Sequence, residues 1–287
     1  LGASHQAFVL AASGFEAPDL QQPFTKVELG CGYGFSLLLE AAVFPQSQFY
    51  GVDFNPDHIT WAKRVAEKSG IDNVHFLEMS FADLMTSNIP DIDFLGMHGV
   101  WSWVDQENRD NISRFLERRM KSGGLVMVSY NVLPGQSANN ALREIMLRKF
   151  WSSSGTTHDR IQASLDFANE FMLCNAPILA QYPGIASHLR SITGLPSRYL
   201  AHEYFNQNWT PFHHYTVVKD MAESRLSYVA SAKVLENSEV LNFQPSTIKL
   251  FDKVAQTERE TLKDIFLNRM FRYDIYGRGL EQIGLFG

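Results

Sequence analysis

Val27-Glu28-Leu29-Gly30-Cys31-Gly32-Tyr33-Gly34 joins a predicted strand over residues 25–29 to a predicted helix over residues 35–44. Glycines at such a turn allow a tight bend and let a ligand approach the backbone amides. Asp53 ends the next predicted strand, 23 residues after Gly30. An acid at about this distance is suited to bind both ribose hydroxyls of a nucleoside. The segment therefore predicts a site for a nucleoside-containing cofactor.

Two cofactor classes compete for this glycine pattern. The dinucleotide fingerprint G-x-G-x-x-G requires a third glycine at position 35, where this chain has Phe35. The order found is G-x-G-x-G, with Glu28 two residues before the first glycine. It resembles the first motif of the class I S-adenosylmethionine-dependent methyltransferases. The remaining alternative is a turn whose glycines serve packing alone, and the agreement of Glu28, Asp53 and the strand pattern favours the cofactor site.

Strand and helix patterns alternate through the first half of the chain. Such alternation predicts a parallel sheet with helices on both faces. Asn55-Pro56 predicts a helix that ends near Gly70, and a helix over residues 106–120 is expected to close at Ser122-Gly123-Gly124. The five predicted strands cover residues 25–29, 48–53, 74–79, 93–98 and 125–130.

The rest of the chain divides into a helical part and a mixed part. We expect three units: a cofactor-binding core over residues 1–134, a helical insertion over 135–210, and a part over 211–287 that completes the sheet. An insertion after the fifth strand projects from the edge where such sheets bind ligands, so it is expected to form a lid. A separate regulatory or oligomerisation module is the alternative. The predicted helices are 137–151, 158–174, 177–192, 213–224, 246–255 and 258–269, and the predicted strands are 226–232 and 271–276.

Composition and charge exclude several classes of protein. The chain has 287 residues, 45% hydrophobic and 20% charged, as in an ordinary globular protein. A net charge of −6 does not attract polyanions, and no apolar run reaches the length of about 18 residues that spans a membrane, so neither nucleic acid nor membrane is an expected partner. Cys31, Cys174 and His213-His214 lack metal-ligand spacing, so we expect no metal, reduced thiols and a cytoplasmic protein. Because the chain starts at Leu1 without a signal-peptide pattern, we expect a trimmed form with further residues at either end.

Later segments of the sequence narrow the resemblance to a smaller group within the class I methyltransferases. Together with Glu28-Leu29-Gly30-Cys31-Gly32, six further segments resemble bacterial methyltransferases that carry a methyltransferase regulatory domain, whose relatives include rickettsial protein-lysine methyltransferases. The resemblance covers nearly the whole chain. It implies an α/β, Rossmann-like class I methyltransferase sheet, mostly parallel with an antiparallel last strand, plus a helical insertion and a regulatory-domain-like region at about residues 195–280. The six segments are Asp53-Phe54-Asn55-Pro56, Ser80-Phe81-Ala82-Asp83-Leu84, His98-Gly99-Val100-Trp101-Ser102-Trp103-Val104, Ser129-Tyr130-Asn131-Val132-Leu133-Pro134-Gly135, Leu195-Pro196-Ser197-Arg198-Tyr199-Leu200-Ala201-His202-Glu203-Tyr204, and Phe271-Arg272-Tyr273-Asp274 with Arg278-Gly279.

The resemblance implies S-adenosylmethionine as the cofactor. Asp53 would bind the ribose hydroxyls, and Phe54 would pack on the adenine. Many class I enzymes place an acid for the adenine where this chain has Ser80, so Ser80 and the Phe81 backbone are expected to read the base. Asp83 is either a second adenine contact or an acid at a helix start. The implied cofactor contacts are Glu28, Gly30, Cys31, Gly32, Gly34, Asp53, Phe54, Ser80, Phe81 and His98.

Candidates for catalysis lie where the fourth and fifth strands end. His98 is either a general base or a structural histidine. Tyr130 either orients an amine, contacts the cofactor or forms a pocket wall, and Asn131 is a further candidate at the end of the same strand. A cation–π cage is one interpretation of Trp101-Ser102-Trp103, and core packing is the other. His202-Glu203 in the insertion is a further candidate acid–base pair.

Three functions remain open from the sequence. The resemblance favours a methyltransferase that acts on a protein side chain, with a lysine-type amine as acceptor. A methyltransferase for a small metabolite or sugar is the alternative, and a non-catalytic cofactor-binding regulatory protein is the second alternative. A pocket enclosed by residues 135–210 would favour the metabolite, whereas an open groove would favour a polypeptide. The oligomeric state does not follow from the sequence.

Overall fold

Seven strands form one mixed sheet in the order β3-β2-β1-β4-β5-β7-β6 in the computed structural model, which describes residues 2–283. Strands β1 to β5 pair in parallel, whereas β7 runs antiparallel to both β5 and β6. The expected fold class is therefore confirmed, and the first and last of the expected units extend beyond the described residues. The strands are β1 Thr25–Leu29, β2 Gln48–Asp53, β3 Val74–Glu78, β4 Ile92–Met97, β5 Met120–Asn131, β6 Ser227–Ser231 and β7 Phe271–Gly277.

Helices cover both faces of the sheet and form the insertion after β5. Asn55 caps α3 by accepting the Asp57 N–H at 2.9 Å, and Gly70 ends that helix in the left-handed conformation, as predicted. The helices are α1 Ala3–Ala12, α2 Phe35–Val43, α3 Pro56–Ser69, α4 Gln106–Arg119, α5 Ser137–Ser152, α6 Thr157–Leu173, α7 Pro177–Gln181, α8 Gly184–Ile192, α9 Ser197–Tyr204, α10 His214–Glu223, α11 Glu239–Asn242, α12 Pro245–Phe251 and α13 Gln256–Leu267, with 3₁₀ turns at Phe81–Thr86 and Val234–Asn237.

Two predicted helices differ from the structure, one at its end and one because it is broken in two. The helix expected to close at Ser122-Gly123-Gly124 ends at Arg119, because Met120 is already extended and pairs with Ile92 of β4. The single helix expected over residues 177–192 is two helices, α7 and α8. The break falls at Pro183, which has no N–H to donate and therefore cannot continue the α7 hydrogen-bond pattern.

The insertion has an apolar core of its own. Leu142 and Phe150 of α5, Ile161 of α6, Leu189 of α8 and Leu200 of α9 are all buried in one cluster, separate from the two clusters that cover the sheet. Helices α5, α6, α8 and α9 therefore hold one another in place through their own packing. This packing fixes α9 relative to the other helices of the insertion.

A buried guanidinium holds the antiparallel end of the sheet together. Arg272 on β7 is 1% exposed. It donates to Asp274 at 2.8 and 2.9 Å, to Asp264 of α13 at 2.7 Å, and to Glu260 at 3.0 Å. It also donates to the Tyr228 hydroxyl of β6 at 3.0 Å. One side chain thus joins β7, β6 and α13.

We expect Arg272→Ala to lower the free energy of unfolding by about 3–5 kcal/mol, because the buried Asp264 and Asp274 lose the guanidinium that bonds to both of them. Urea denaturation followed by circular dichroism measures the loss. Arg148→Ala is the matched control, since Arg148 is 83% exposed and, within residues 2–283, pairs only with Glu144 on the surface of α5. The control should change the free energy by less than about 0.5 kcal/mol. Equal stability of the two variants would contradict the role assigned to Arg272.

Candidate functional site

The glycine loop uses its three glycines in two different ways. Gly30, Gly32 and Gly34 have φ values of 68°, 55° and 68°, in the left-handed region. A Cβ atom on Gly30 would lie 2.6 Å from Val100, and one on Gly34 would lie 2.2 Å from the Phe76 ring. A Cβ atom on Gly32 would meet nothing within 4 Å. Packing therefore requires Gly30 and Gly34, whereas Gly32 faces the space where a ligand can approach.

Asp53 is fixed beside this open position. Its Oδ2 accepts the Gly32 N–H at 2.9 Å, and its Oδ1 accepts the Asn55 N–H at 2.9 Å. The His58 Nδ1 atom lies 3.5 Å from Oδ1. A carboxylate has about four acceptor positions, so both oxygens retain capacity for ligand hydroxyls. The site at the end of β2 thus presents an anchored carboxylate next to free space.

Glu28 at the end of β1 and Cys31 within the glycine loop are both buried. Glu28 is 5% exposed and accepts the Ser36 hydroxyl at 2.6 Å, which ties the end of β1 to α2. Burial raises the pKa of the Glu28 carboxyl. Burial, together with the nearby Glu28 and Asp53 charges, also raises the pKa of the Cys31 thiol, so Cys31 is an unreactive packing residue in this setting.

The predicted adenine contacts follow β2 and β3 at the same edge of the sheet. They are Phe54, Ser80 and Phe81, and Ser80 is already hydrogen-bonded to Asp83. Phe54 is 78% exposed directly after Asp53, so its ring is free to cover a flat ligand. Ser80 donates its hydroxyl to Asp83 at 2.6 Å, and Asp83 accepts the Ser80 N–H at 3.2 Å. Asp83 therefore caps the 3₁₀ turn, which is the helix-start interpretation of this acid. Phe81 is half-buried against the core.

His98 follows β4 and is held by Ser129. Its Nδ1 lies 2.9 Å from the Ser129 Oγ, and its ring stacks on Tyr273 with centroids 5.6 Å apart. The same Oγ accepts the Gly99 N–H at 3.0 Å. The buried Ser129 hydroxyl then donates to Nδ1, its one remaining acceptor among the described residues, and the neutral ring carries its proton on Nε2. Burial lowers the pKa of His98, which favours that neutral form.

The structure corrects the catalytic interpretation of Tyr130 and the cage interpretation of Trp101. Tyr130 is fully buried, and its hydroxyl donates to Asp274 at 2.6 Å, so it joins the Arg272 network and not a ligand pocket. Trp101 is also fully buried, within a core cluster below the sheet edge. Both side chains therefore fill the core.

Helix α9 extends over the carboxyl ends of three strands. Arg198 donates to the Tyr33 hydroxyl of the glycine loop at 3.1 Å. His202 stacks on Trp103 after β4, with ring centroids 6.2 Å apart, and bonds to Glu203 at 3.2 Å. The Arg198–Tyr33 contact was missed from the sequence, because the two residues are 165 positions apart and no local pattern pairs them.

A small cavity lies between α9 and the end of β5. Its volume is about 100 Å³. Asn131 lines this cavity, so this predicted residue lies at the edge of the sheet where such folds bind ligands. His98 stands at the neighbouring strand end. The cavity is lined by Asn131, Gln136, Asn139, Arg143, His188, Glu203, Tyr204, Trp209 and Met270.

Within residues 2–283, no three His, Cys, Asp or Glu side chains are grouped so that they could hold a metal ion. Among the helices in the same range, none has the length and apolarity needed to cross a membrane.

Two protein families match this chain. Residues 24–169 match a family described as a methyltransferase domain, and residues 196–278 match one described as a predicted methyltransferase regulatory domain. The fold and the site define a class I S-adenosylmethionine-dependent methyltransferase. The chain belongs to this family, in the bacterial group that carries the regulatory domain.

Relatives in sequence and in structure extend the comparison. An uncharacterized protein of Synechocystis sp. is 37% identical over 92% of this chain and 52% of its own length, and one of Rickettsia prowazekii is 33% identical over 66% of this chain and 76% of its own. PKMT2 from Rickettsia typhi, solved in complex with AdoHcy, is 25% identical with a TM-score of 0.81, covering 96% of this chain and 53% of PKMT2. The chain thus spans about half the length of the Synechocystis protein and of PKMT2.

The two uses of glycine give a test of the loop geometry. Gly32→Ala and Gly34→Ala impose similar left-handed strain, but only the second also forces a methyl group against Phe76. We therefore expect Gly34→Ala to lower the free energy of unfolding by about 1–3 kcal/mol more than Gly32→Ala does. Parallel urea denaturation of both variants measures the difference. Equal losses would mean that Phe76 yields freely and that Gly34 is not a packing requirement.

Proposed function

We propose that this chain binds S-adenosylmethionine and transfers its methyl group to an amine on a protein side chain, of the lysine type. The observation that carries the proposal is the likeness to PKMT2, which was crystallised with AdoHcy and matches 96% of this chain. The likeness extends through the insertion and the regulatory domain, beyond the sheet that all class I methyltransferases share.

The cofactor side of the site fits the proposed ligand. The anchored Asp53 carboxylate would accept the ribose hydroxyls, and the open side of Gly32 gives the ligand room next to it. The exposed Phe54 ring would cover the adenine. Glu28 would act from beneath, by holding the loop through Ser36.

The size of the cavity next to the strand ends favours a polypeptide over a small metabolite as the methyl acceptor. The cavity under α9 measures about 100 Å³, well below the roughly 300–1,000 Å³ of pockets that enclose a whole small-molecule ligand. An acceptor can therefore place only a small group there and must leave the rest outside, as a polypeptide does.

The proposed chemistry assigns a binding role to His98. Bound S-adenosylmethionine would supply a methyl group on a positively charged sulfur. An uncharged amine would attack the methyl carbon in line, the carbon–sulfur bond would break, and S-adenosylhomocysteine would leave with the electron pair. The neutral His98 ring carries its proton on Nε2, so it would orient the reactants as a hydrogen-bond donor. The proton of the amine would then leave to water, and α9 would keep the reactants aligned over the strand ends.

Transfer of labelled methyl groups tests the proposed function. The chain is incubated with radiolabelled S-adenosylmethionine and a bacterial lysate, which is then split into macromolecular and low-mass fractions. We expect label on protein, at a lysine side chain found by mass spectrometry. Label in the low-mass fraction alone would reject the protein acceptor, and cofactor binding without any transfer would reject the enzyme.

Asp53→Ala should weaken S-adenosylhomocysteine binding by about tenfold to a hundredfold, because the ribose hydroxyls lose a charged acceptor. Isothermal titration calorimetry measures the affinity. Asp57→Ala is the control, since Asp57 is an exposed acid in the first turn of α3. It should bind within about twofold of the unmodified chain. An unchanged affinity of the Asp53 variant would refute the ribose assignment.

His98→Ala should lower kcat by about tenfold while S-adenosylhomocysteine binding changes little, because a positioning hydrogen bond is lost. His98→Gln keeps an N–H donor near the same place and should recover most of kcat. Rates are measured above pH 7, where the lowered pKa keeps the imidazole neutral. If His98 were instead the proton acceptor, the Gln variant would be as inactive as the Ala variant.

A further inference from the structure

The cavity under α9 has polar walls whose hydrogen-bond capacity is partly unused. Asn131 is 5% exposed, and its Nδ2 has no partner among residues 2–283. A buried amide N–H that forms no bond in the protein costs free energy unless a ligand or water satisfies it. Asn131 also lines the cavity, so a hydrogen-bond acceptor is missing at this wall.

The orientation of the Asn131 amide follows from its neighbours. Gln136 Nε2 donates to the Met270 carbonyl at 3.0 Å, which only an N–H group can do. The same nitrogen lies 2.9 Å from Asn131 Oδ1, so its second hydrogen goes there. Gln136 Oε1 meanwhile accepts from Asn139 at 2.9 Å. This chain of bonds fixes Oδ1 toward Gln136 and leaves both Nδ2 hydrogens of Asn131 for another group.

A buried guanidinium forms a second wall. Arg143 is 5% exposed; it donates to the Asn206 carbonyl and stacks over Trp209 at 5.2 Å. The nearest carboxylate oxygen, on Glu144, is 3.9 Å away, and the Arg143 Nε has no partner among the described residues. The charge is thus weakly compensated, and an oxygen atom in the cavity would compensate it.

The other titratable side chains that line the cavity already have hydrogen-bond partners. The Tyr204 hydroxyl and His188 Nε2 lie 3.0 Å apart. Burial raises the pKa of Tyr204 to about 12 and lowers that of His188, so Tyr204 stays protonated and donates to a neutral imidazole. Glu203 is the one carboxylate of the wall, and it is engaged with His202 at 3.2 Å. The unused capacity is that of donors, on Asn131 and Arg143.

We propose that this cavity is an acceptor-recognition subsite that binds a planar group with carbonyl or carboxylate oxygens, held between the Asn131 amide and the Arg143 guanidinium. A peptide group or a carboxylate has about the size that 100 Å³ accommodates. The inference deepens the proposed function and rests on it: the methylated amine would lie toward His98, and the subsite would read the peptide group or carboxylate next to it. Asn131 is then a specificity-determining residue and not a base.

Binding of three small probes tests the subsite. The chain without cofactor is titrated with N-methylacetamide, with acetate and with methylammonium, and the Trp209 indole N–H and the Asn131 side-chain NH₂ are followed by NMR. We expect saturable shifts with an oxygen-bearing probe and none with methylammonium. Binding of N-methylacetamide identifies a peptide group as the source of the oxygens, and binding of acetate alone identifies a free carboxylate. A saturable shift with methylammonium, or none with either oxygen probe, would overturn the proposal.

Variants make the assignment specific. Asn131→Asp keeps the shape and the bond from Gln136 but removes the free donor, so the shift of Trp209 should require about tenfold more probe. Asn111→Asp, on the surface of α4, should titrate like the unmodified chain. If Asn131→Asp does not fold, Arg143→Lys replaces it, with the same expected weakening. Unweakened binding in the folded variant would overturn the proposal. Because the titration involves no methyl transfer, probe binding with a negative label assay would reject the proposed function alone.

Discussion

Parallel pairing of β1 with β2 and β4 forces the segments that follow these strands to meet at one edge of the sheet. The bond from the Gly32 N–H to Asp53 exists because β1 and β2 end side by side, although the two residues are 21 positions apart. The same register places His98 after β4 and Asn131 at the end of β5. At the other side of β5, the buried Arg272 fixes the antiparallel β7, so the edge lies between rigid neighbours.

Much of the fold was predictable because its signals are local. Alternating strands and helices predicted the parallel part, and Asn55 with Gly70 predicted both ends of α3. The errors have physical causes that a local pattern does not contain. Ser122, Gly123 and Gly124 resemble a helix terminus, yet Met120 before them already pairs with Ile92 of β4. Residues 121–124 form an irregularity within β5, and pairing with β4 resumes at Leu125. The Arg272 network was missed as well, since its partners come from β6, β7 and α13.

The cofactor side of the site was more predictable than the acceptor side. Gly30, Gly32, Gly34 and Asp53 lie close in sequence and form one compact unit, so their pattern is readable. Asn131 was selected as a strand-end residue, but its role as a free donor depends on Gln136 and the Met270 carbonyl. Adjacent residues of one strand point to opposite faces, so Tyr130 packs in the core while Asn131 lines the cavity. The sequence does not show which of the two faces the cavity.

We propose that the carboxyl edge beneath α9 is divided between a cofactor half at Asp53 and an acceptor half at Asn131. A crystal structure of the chain soaked with S-adenosylhomocysteine tests this most directly. The ribose hydroxyls should lie within about 3 Å of the Asp53 carboxylate, with the adenine against Phe54 and the sulfur facing the space beneath α9. A ligand bound elsewhere, or one that fills the cavity at Asn131, would contradict the account.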